Sequence, residues 1–373
     1  MSLNLAIIAG DGTGQEVTNQ ALRVLQQVAT DANFTVTTTD LPYGGDRYLK
    51  TGTVLTDDEL NELKQYDAIL LGAVGHPDVP PGVLEKGILL KLRFELDQYI
   101  NLRPVKLYPG IETPLANKTP KDIDLVVVRE NTEDLYGGNG GVIRQNTPNE
   151  LSTQEMIATR FGVERCLRYA FDLARTRKAN RYPGKLTLVH KTNVLTHCGG
   201  TWFRAFNDIG DADYKDITRE YHHVDACCMY LATKPEIYDT VVVPNMFGDI
   251  ITDLGAAIAG GMGIAASGNL NPDPNNPNPS MFEPVHGSSP DIAGQNKANP
   301  LAAIDSLAML LQETGRTQSK PHLTAAGDRV AQAVQAVTPN FTGKKLDRSG
   351  YSTSDIGDMV LKALTQTLNP ANA

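Results

Sequence analysis

Asp249 and Asp253 stand four residues apart in a stretch of helical periodicity that follows the apolar run Thr240–Val243. A spacing of four sets both carboxylates on one helix face, where like charges repel unless a cation sits between them. Hard oxygen ligands of this kind suit Mg²⁺ or Mn²⁺. An acidic pair on a helix is more often a solvated face, but Ile250, Ile251 and the apolar residues from Leu254 to Ala257 leave little solvated surface here. Asp225, after Tyr221-His222-His223-Val224, opens another helical stretch and is a third acidic candidate.

Three arginines suggest what such a cation would help to hold. Arg93 lies in the amphipathic stretch Leu89–Ile100, Arg103 in Asn101-Leu102-Arg103-Pro104, and Arg129 at the end of the run Leu125–Val128. A guanidinium grips a carboxylate with two parallel hydrogen bonds, so three of them in an acidic chain point to a site for a multiply charged anion. Taken singly, each is more often half of a surface ion pair. Lys191, in His190-Lys191-Thr192-Asn193, follows the run Leu186–Val189. A desolvated lysine beside a metal gives up its proton more readily and can serve as a base, although most lysines are merely exposed.

The elements that must position these groups alternate. Leu5–Ala9 reads as a strand, Val17, Ala21, Val24, Leu25 and Val28 fall at helix spacing, and Phe34–Thr38 and Ala68–Leu71 read as further strands. The later runs Leu125–Val128, Leu186–Val189 and Thr240–Val243 each end in polar residues, as expected where ligands gather at the carboxyl ends of strands in an α/β protein. Asn269 to Pro279, crowded with Asn and Pro, is expected to be a surface loop between a helix and the segment at Phe282. Any second domain is expected to be inserted within the first, because no long linker marks a sequential boundary.

Gly10-Asp11-Gly12-Thr13-Gly14 lies between the first strand and the first helix. A dinucleotide fingerprint needs its third glycine three residues after the second, and here it comes after two. The stretch is either a tight turn or a loop that lines a site without holding a pyrophosphate.

Composition bounds the rest. A chain of 373 residues with 41% hydrophobic and 21% charged residues is that of a globular protein with enough apolar mass for two lobes. A net charge of −9 repels nucleic-acid phosphates, and no long Lys/Arg run offsets it. No Lys or Arg precedes Arg23, so Leu5–Ala9 lacks the basic flank of a signal peptide. The longest weakly polar run, Leu254 to Ala266, falls short of the roughly 20 residues that cross a bilayer. A cytoplasmic location without membrane or nucleic-acid partners is expected. Cys166, Cys198, Cys227 and Cys228 form no CxxC pair and are expected to be buried, reduced thiols.

In this order the pieces resemble the β-decarboxylating dehydrogenases, the family of isopropylmalate, isocitrate, homoisocitrate and tartrate dehydrogenases. The resemblance is carried by Gly10-Asp11-Gly12-Thr13-Gly14, Leu92-Arg93 with Asn101-Leu102-Arg103-Pro104, Val128-Arg129-Glu130-Asn131-Thr132, His190-Lys191-Thr192-Asn193-Val194-Leu195, Asn245-Met246-Phe247-Gly248-Asp249 and Glu283-Pro284-Val285-His286-Gly287-Ser288. Three features depart from it: His190 stands where many members have an acidic residue, Pro244 replaces another, and the Asn/Pro loop looks extended.

The resemblance implies an α/β, two-domain fold that is not an ordinary Rossmann fold: a large cofactor-binding domain from residues 1–104 and 258–373, and an inserted small domain of residues 105–257 carrying a dimer interface. It implies a homodimer with shared active sites. Arg93, Arg103 and Arg129 would bind the substrate's carboxylates, with Leu89, Leu90, Val194 and Asp225 completing the substrate pocket. Asp225, Asp249 and Asp253 would hold Mg²⁺ or Mn²⁺, with Lys191 and Asp225 coming from the partner subunit. Lys191 would take the hydroxyl proton during hydride transfer, and Tyr136, in Leu135-Tyr136-Gly137, would protonate the enol carbon after CO₂ leaves. NAD would meet Asn193, Glu283, His286, Gly287, Ser288, Ser289, Asp291, Ile292 and Asn299.

Asp291 can bond the two ribose hydroxyls of NAD but would repel the 2′-phosphate of NADP, and NADP-using relatives tend to carry Lys and Tyr at these two positions. Asp291 can also serve as the cap of a short helix beginning near Ile292. Leu89 and Leu90 suit an isopropyl group, so the implied reaction is oxidative decarboxylation of 3-isopropylmalate in leucine biosynthesis. A tartrate/malate-type or homoisocitrate-type substrate is the alternative, and a non-catalytic regulatory subunit is disfavoured because Lys191, Tyr136 and the three aspartates are all present.

Overall fold

A computed structural model of the chain describes residues 2–344 and 349–366. Its strands are β1 (Ser2–Gly10), β2 (Thr35–Asp40), β3 (Ala68–Ala73), β4 (Ile100–Lys106), β5 (Asp124–Glu130), β6 (Gly140–Ile143), β7 (Leu151–Gln154), β8 (Lys185–His190), β9 (Thr218–His223), β10 (Thr240–Val243), β11 (Ala266–Leu270) and β12 (Ser280–Pro284). Its α-helices are α1 (Gly14–Asp31), α2 (Gly45–Thr51), α3 (Asp57–Leu63), α4 (Lys91–Glu95), α5 (Arg160–Ala179), α6 (Thr196–Asp213), α7 (Val224–Thr233), α8 (Asn245–Ile258), α9 (Leu301–Thr317), α10 (Pro321–Val337) and α11 (Thr353–Gln366).

The chain divides into two compact units, Met1–Gln98 with Leu107–Pro120 and Ala256–Ala373, and Tyr99–Lys106 with Lys121–Gly255. This differs from a single insertion over 105–257. β4 pairs antiparallel with β5 along its whole length, from Ile100↔Glu130 to Lys106↔Asp124, which draws Tyr99–Lys106 into the second unit. The following segment then returns to the first.

In the first unit the strands run in the order β2-β1-β3-β12-β11. All are parallel except β11, which pairs antiparallel with β12. β3 is buried along its whole length, and β1 buries Leu5, Ala6, Ile7 and Ile8 in succession, as expected of parallel strands covered on both faces. Helix α1 turns Val17, Ala21, Val24, Leu25 and Val28 inward at the expected spacing, whereas α9 is buried almost all round from Leu301 to Leu311. The capping box of Thr56 and Glu59 starts α3.

The Asn/Pro stretch is shorter than expected and differently flanked. Asn269 and Leu270 are the end of β11, so the loop joins two antiparallel strands rather than a helix and the Phe282 segment. Asn269 and Asn271 are buried, Asn271 donating to the Leu96 carbonyl at 3.2 Å. Their amides find internal partners, so these two polar residues lie inside, while Asp273, Pro274, Asn275 and Pro277 are exposed as a surface loop requires.

In the second unit the order is β4-β5-β10-β8-β9, with only β4 antiparallel. Neither run of strands follows the 3-2-1-4-5-6 order of the Rossmann fold. Thr159 caps α5 by accepting from the Gly162 N–H, and Val163, Cys166, Leu167, Ala170, Phe171 and Ala174 form its buried stripe. Phe171 stacks between Phe206 and Tyr214 at 5.4 and 4.6 Å. All four cysteines are free, but only Cys166 and Cys227 are buried; Cys198 and Cys228 are partly exposed. Among the described residues no helix is long and apolar enough to cross a membrane.

Candidate active site

Because β5, β10 and β8 are parallel, their carboxyl ends lie along one edge of the second unit. Arg129 is the last residue but one of β5, Asn245 opens the helix after β10, and Lys191 directly follows β8. Arg129 is 1% exposed, and each contact of its guanidinium is specific. Nε donates to Asn245 Oδ1 at 3.0 Å and Nη1 to Asp249 Oδ1 at 2.5 Å. Nη2 is buried with no partner among the described residues, a donor left over for an incoming acceptor. Gly248 is needed here, since a Cβ would lie 2.4 Å from Arg129 Cγ.

Tyr136 reaches the same carboxylate. It sits half-buried in a short 3₁₀ turn, Asp134–Gly137, and its hydroxyl donates to Asp249 Oδ2 at 3.0 Å. The Arg129 guanidinium lies 5.2 Å from its ring centre. Burial, and then the charge and hydrogen bond of Asp249, raise the Tyr136 hydroxyl above the ordinary range against the opposing charge of Arg129. A phenol so placed stays protonated at neutral pH.

Asp249 and Asp253 share one face of α8, as expected. Against burial, which pushes it up, the charges of Arg129 and Arg103 hold the Asp249 carboxyl below its usual range. Asp253 moves the other way, raised by burial and then by the charge of Asp249. That repulsion between two oxygen-donor groups is what a hard cation would relieve, and each Asp249 oxygen keeps a lone pair beyond its one hydrogen bond. Arg103 Nη1 stands 3.7 Å from Asp253 Oδ1 and donates to Thr252 Oγ1 at 3.2 Å, while its Nε donates to Asn101 Oδ1 at 2.8 Å.

Lys191 and Asp225 form a separate pair. Lys191 Nζ donates to Asp225 Oδ1 at 2.7 Å. Asp225 opens α7 as expected, and the hydrogen bond from Lys191 lowers its carboxyl. The Lys191 side chain is 27% exposed in the single chain, directly after the end of β8. Asn193 and Val194 in the same turn are exposed. Among the described residues no three Asp, Glu, His or Cys side chains gather in one chain as a metal-binding group, so Asp225 does not join Asp249 and Asp253 within a single chain.

The first unit holds the remaining residues. Arg93, 4% exposed, donates from Nη2 to Glu283 Oε1 at 3.2 Å, and Asn269 Nδ2 donates to the same oxygen at 2.8 Å. Leu89 and Leu90 lie half-buried in a π-helical turn, Glu85–Leu90. Leu89 packs against the core cluster of Ile88, Leu92 and Leu96, which gives it a structural role of its own.

The glycine-rich loop turns out to brace the segment after β12. Thr13 donates to the Ser288 carbonyl from both N–H (2.8 Å) and Oγ1 (3.1 Å). Gly12 has φ +55°, and a Cβ there would lie 2.1 Å from the same oxygen. Asp11 closes the arrangement by accepting from Gly45 N (2.7 Å) and Gly75 N (3.0 Å). The glycines thus serve a close backbone approach.

Beside this brace lies a cavity of ≈ 770 Å³ lined by Thr13, Ile111, Gly261, His286, Ser289, Ile292, Asn299 and others. His286 Nδ1 bonds the Gly287 carbonyl at 3.0 Å, leaving Nε2 as a buried acceptor without a partner. Asn299 Oδ1 accepts from Leu301 N at 3.0 Å, leaving Nδ2 as a buried, unpartnered donor. One acceptor and one donor facing a cavity of this size match the amino group and ring nitrogen of adenine. Gly287 is exposed and Ser288 is buried. Asp291 is not the helix cap expected: the 3₁₀ turn spans Pro290–Ile292 with Ser289 before it, and no side chain caps it. Asp291 is exposed within that turn, and Ile292 faces the cavity.

Reading the residues missed Asn245 as the partner of Arg129, and Asp11 and Thr13 as braces. Their positions directly after β10 and β1 were the available signal.

The sequence model of the family described as isocitrate/isopropylmalate dehydrogenase matches residues 4–360. The chain is 50% identical over 365 residues to the 3-isopropylmalate dehydrogenase of Thermobifida fusca, covering 98% of each chain. It is 52% identical over 357 residues to that of Streptomyces avermitilis, covering 96% of this chain and 97% of the relative. Among solved structures it resembles the isocitrate dehydrogenase of Methylococcus capsulatus, with a TM-score of 0.83 at 31% identity over 97% of this chain and 99% of the other.

Proposed function

The chain belongs to the isocitrate/isopropylmalate dehydrogenase family and has its mixed α/β fold, and from that premise we propose that it oxidises and decarboxylates 3-isopropylmalate in leucine biosynthesis. The observation that carries the substrate is the 50% and 52% identity, over nearly the whole chain, to relatives named for it. The proposed cofactors are NAD and Mg²⁺ or Mn²⁺.

NAD would accept the hydride, and the cation, held by Asp249, Asp253 and Asp225 of the partner subunit, would make the substrate hydroxyl more acidic and stabilise negative charge as CO₂ departs. The protein's own groups do the rest. Arg103, Arg129 and Arg93 grip the substrate carboxylates, the free Nη2 of Arg129 supporting this for one of them. Lys191 takes the hydroxyl proton. Tyr136, whose hydroxyl stays protonated at neutral pH, delivers a proton to the carbon that lost CO₂. His286 and Asn299 hold the adenine, with Ile292 beside it and Asp291 at the ribose; Asn193 and Glu283 lie toward the nicotinamide, and Gly287, Ser288 and Ser289 shape the loop between.

A homodimer would explain why Asp225 stands apart from the other two aspartates. It is also supported by the β6–β7 hairpin, whose Val142, Ile143 and Leu151 are 48%, 56% and 46% exposed. Solvent contact of three such side chains on one hairpin is unfavourable until they are covered.

The reading is tested by following NADH absorbance with 3-isopropylmalate, with Mn²⁺ and then with EDTA. Turnover that EDTA abolishes and Mn²⁺ restores is expected. Mn²⁺ binding, read separately by electron paramagnetic resonance, should weaken at least roughly tenfold in Asp249→Asn and in Asp253→Asn. Full turnover in chelator would sink the metal's role.

A further inference from the structure

We propose that Asp134 is a positioning residue that fixes Tyr136 against Asp249, a role resting on the reading of Tyr136 as the proton donor above. Asp134 is 2% exposed, and both of its carboxylate oxygens are engaged by backbone N–H groups. Oδ1 accepts from the Leu135 N–H at 2.8 Å and Oδ2 from the Met246 N–H at 2.7 Å. Its own N–H donates to the Ile157 carbonyl at 3.0 Å. One side chain therefore ties the turn that carries Tyr136 to the first turn of α8.

Both ends of the Tyr136–Asp249 contact are short distances along the chain from this tie. Tyr136 is two residues beyond Asp134, and Asp249 is three beyond Met246. A second bond runs alongside it, Asn245 Nδ2 donating to the Glu133 carbonyl at 3.3 Å while Asn245 Oδ1 receives Arg129. The hydroxyl, the carboxylate and the guanidinium are thus referred to one frame. Asp134 keeps this place at φ +68°, a conformation that Gly and Asn adopt most readily. A carboxylate held there by two backbone N–H groups is worth more than the relief that glycine would bring. A merely structural acidic residue at a helix start would stabilise α8 without regard to Tyr136.

The test is a double-mutant cycle in the full enzyme. Asp134→Gly suits the backbone conformation and removes both acceptors, so its effect is not one of strain. It should lower kcat about tenfold or more while changing KM for 3-isopropylmalate less than about threefold, because misplacing a proton donor affects the chemical step. In a Tyr136→Phe background the same change should lower kcat no further. Asp134→Asn, which keeps one acceptor, should recover most of kcat, to within roughly threefold of the starting enzyme. Equal losses from Asp134→Gly in the two backgrounds, or no loss in either, would overturn the proposal. If Asp134→Gly does not fold, judged by circular dichroism, the Asn variant carries the same comparison: a fall in kcat when Tyr136 is intact and none in the Tyr136→Phe background supports the role, and equal falls refute it. Undiminished turnover of Tyr136→Phe alone would instead remove the proton-donor reading, and the positioning role with it.

Discussion

The Tyr136 hydroxyl donates to Asp249 Oδ2 at 3.0 Å, while the other oxygen of that carboxylate receives Arg129. One aspartate thereby joins the proposed proton donor, the arginine proposed to bind a substrate carboxylate and the proposed cation site. Charge at Asp249 influences both neighbours: it raises the tyrosine hydroxyl and neutralises part of the guanidinium charge. Arrival of a cation at Asp249 would weaken both effects together, so metal and substrate are expected to bind cooperatively.

The two proposed proton carriers should separate kinetically. Lys191→Met removes the base and should depress hydride transfer by about 10²–10⁴-fold, seen as loss of NADH formation in a single turnover. Tyr136→Phe should leave the first oxidation largely intact and slow the later steps, with the oxidised acid accumulating. Intact overall turnover in Tyr136→Phe would rule out its role.

A pH dependence follows from His190, which is 0% exposed and whose imidazole burial pushes down to about 4 from 6.5. Its Nδ1 accepts the Lys191 N–H at 2.8 Å, and its ring packs edge-on to Phe247. Since the folded state resists protonating it, the unfolded chain binds more protons between these values, and stability is lost as pH falls from 6.5 toward 4. The loss should be on the order of 3 kcal/mol relative to His190→Gln, measured by urea unfolding at pH 7 and pH 4.5. Glu130, also buried and pushed up from 4.5 to about 7, acts oppositely over most of this range, so the comparison with the variant isolates the histidine. Parallel pH profiles for the two proteins would show that His190 is hydrated.

Much of this was legible in the sequence, for identifiable reasons. Runs such as Leu125–Val128 and Thr240–Val243 are buried on both faces, so their strands show without tertiary knowledge, and the aspartates of α8 follow from helical spacing. What could not be read depended on partners distant in the chain. The middle of the Asn/Pro stretch, Asp273–Asn275 and Pro277, is exposed as it reads, whereas nothing local shows that its ends are buried or that Leu96 offers Asn271 a carbonyl. Tyr99–Lys106 fall in the second unit for a similar reason, since the pairing of β4 with β5 is not written in either strand alone. The glycines at 10–14 invite comparison with a phosphate loop, whereas Gly12 answers to the carbonyl of Ser288, 276 positions away.

Cofactor preference should favour NAD. Ile292 faces the cavity and Asp291 lies exposed in the same turn, where a carboxylate would repel a 2′-phosphate. Neither position supplies a cation. The ratio of kcat/KM for NAD over NADP should exceed about tenfold and move toward NADP in Asp291→Lys with Ile292→Tyr. Equal use of both cofactors by the unaltered enzyme would show that Asp291 does not meet the ribose.

The central claim is the substrate, and kcat/KM measured side by side for 3-isopropylmalate, malate, tartrate, isocitrate and homoisocitrate tests it most directly. Leu89 is engaged in the core, which leaves Leu90 as the freer apolar side chain for an isopropyl group. Burying that group contributes on the order of 2 kcal/mol, so 3-isopropylmalate should exceed malate by roughly tenfold or more. The account predicts that 3-isopropylmalate is the best of the five; tartrate or homoisocitrate turning over faster would contradict it.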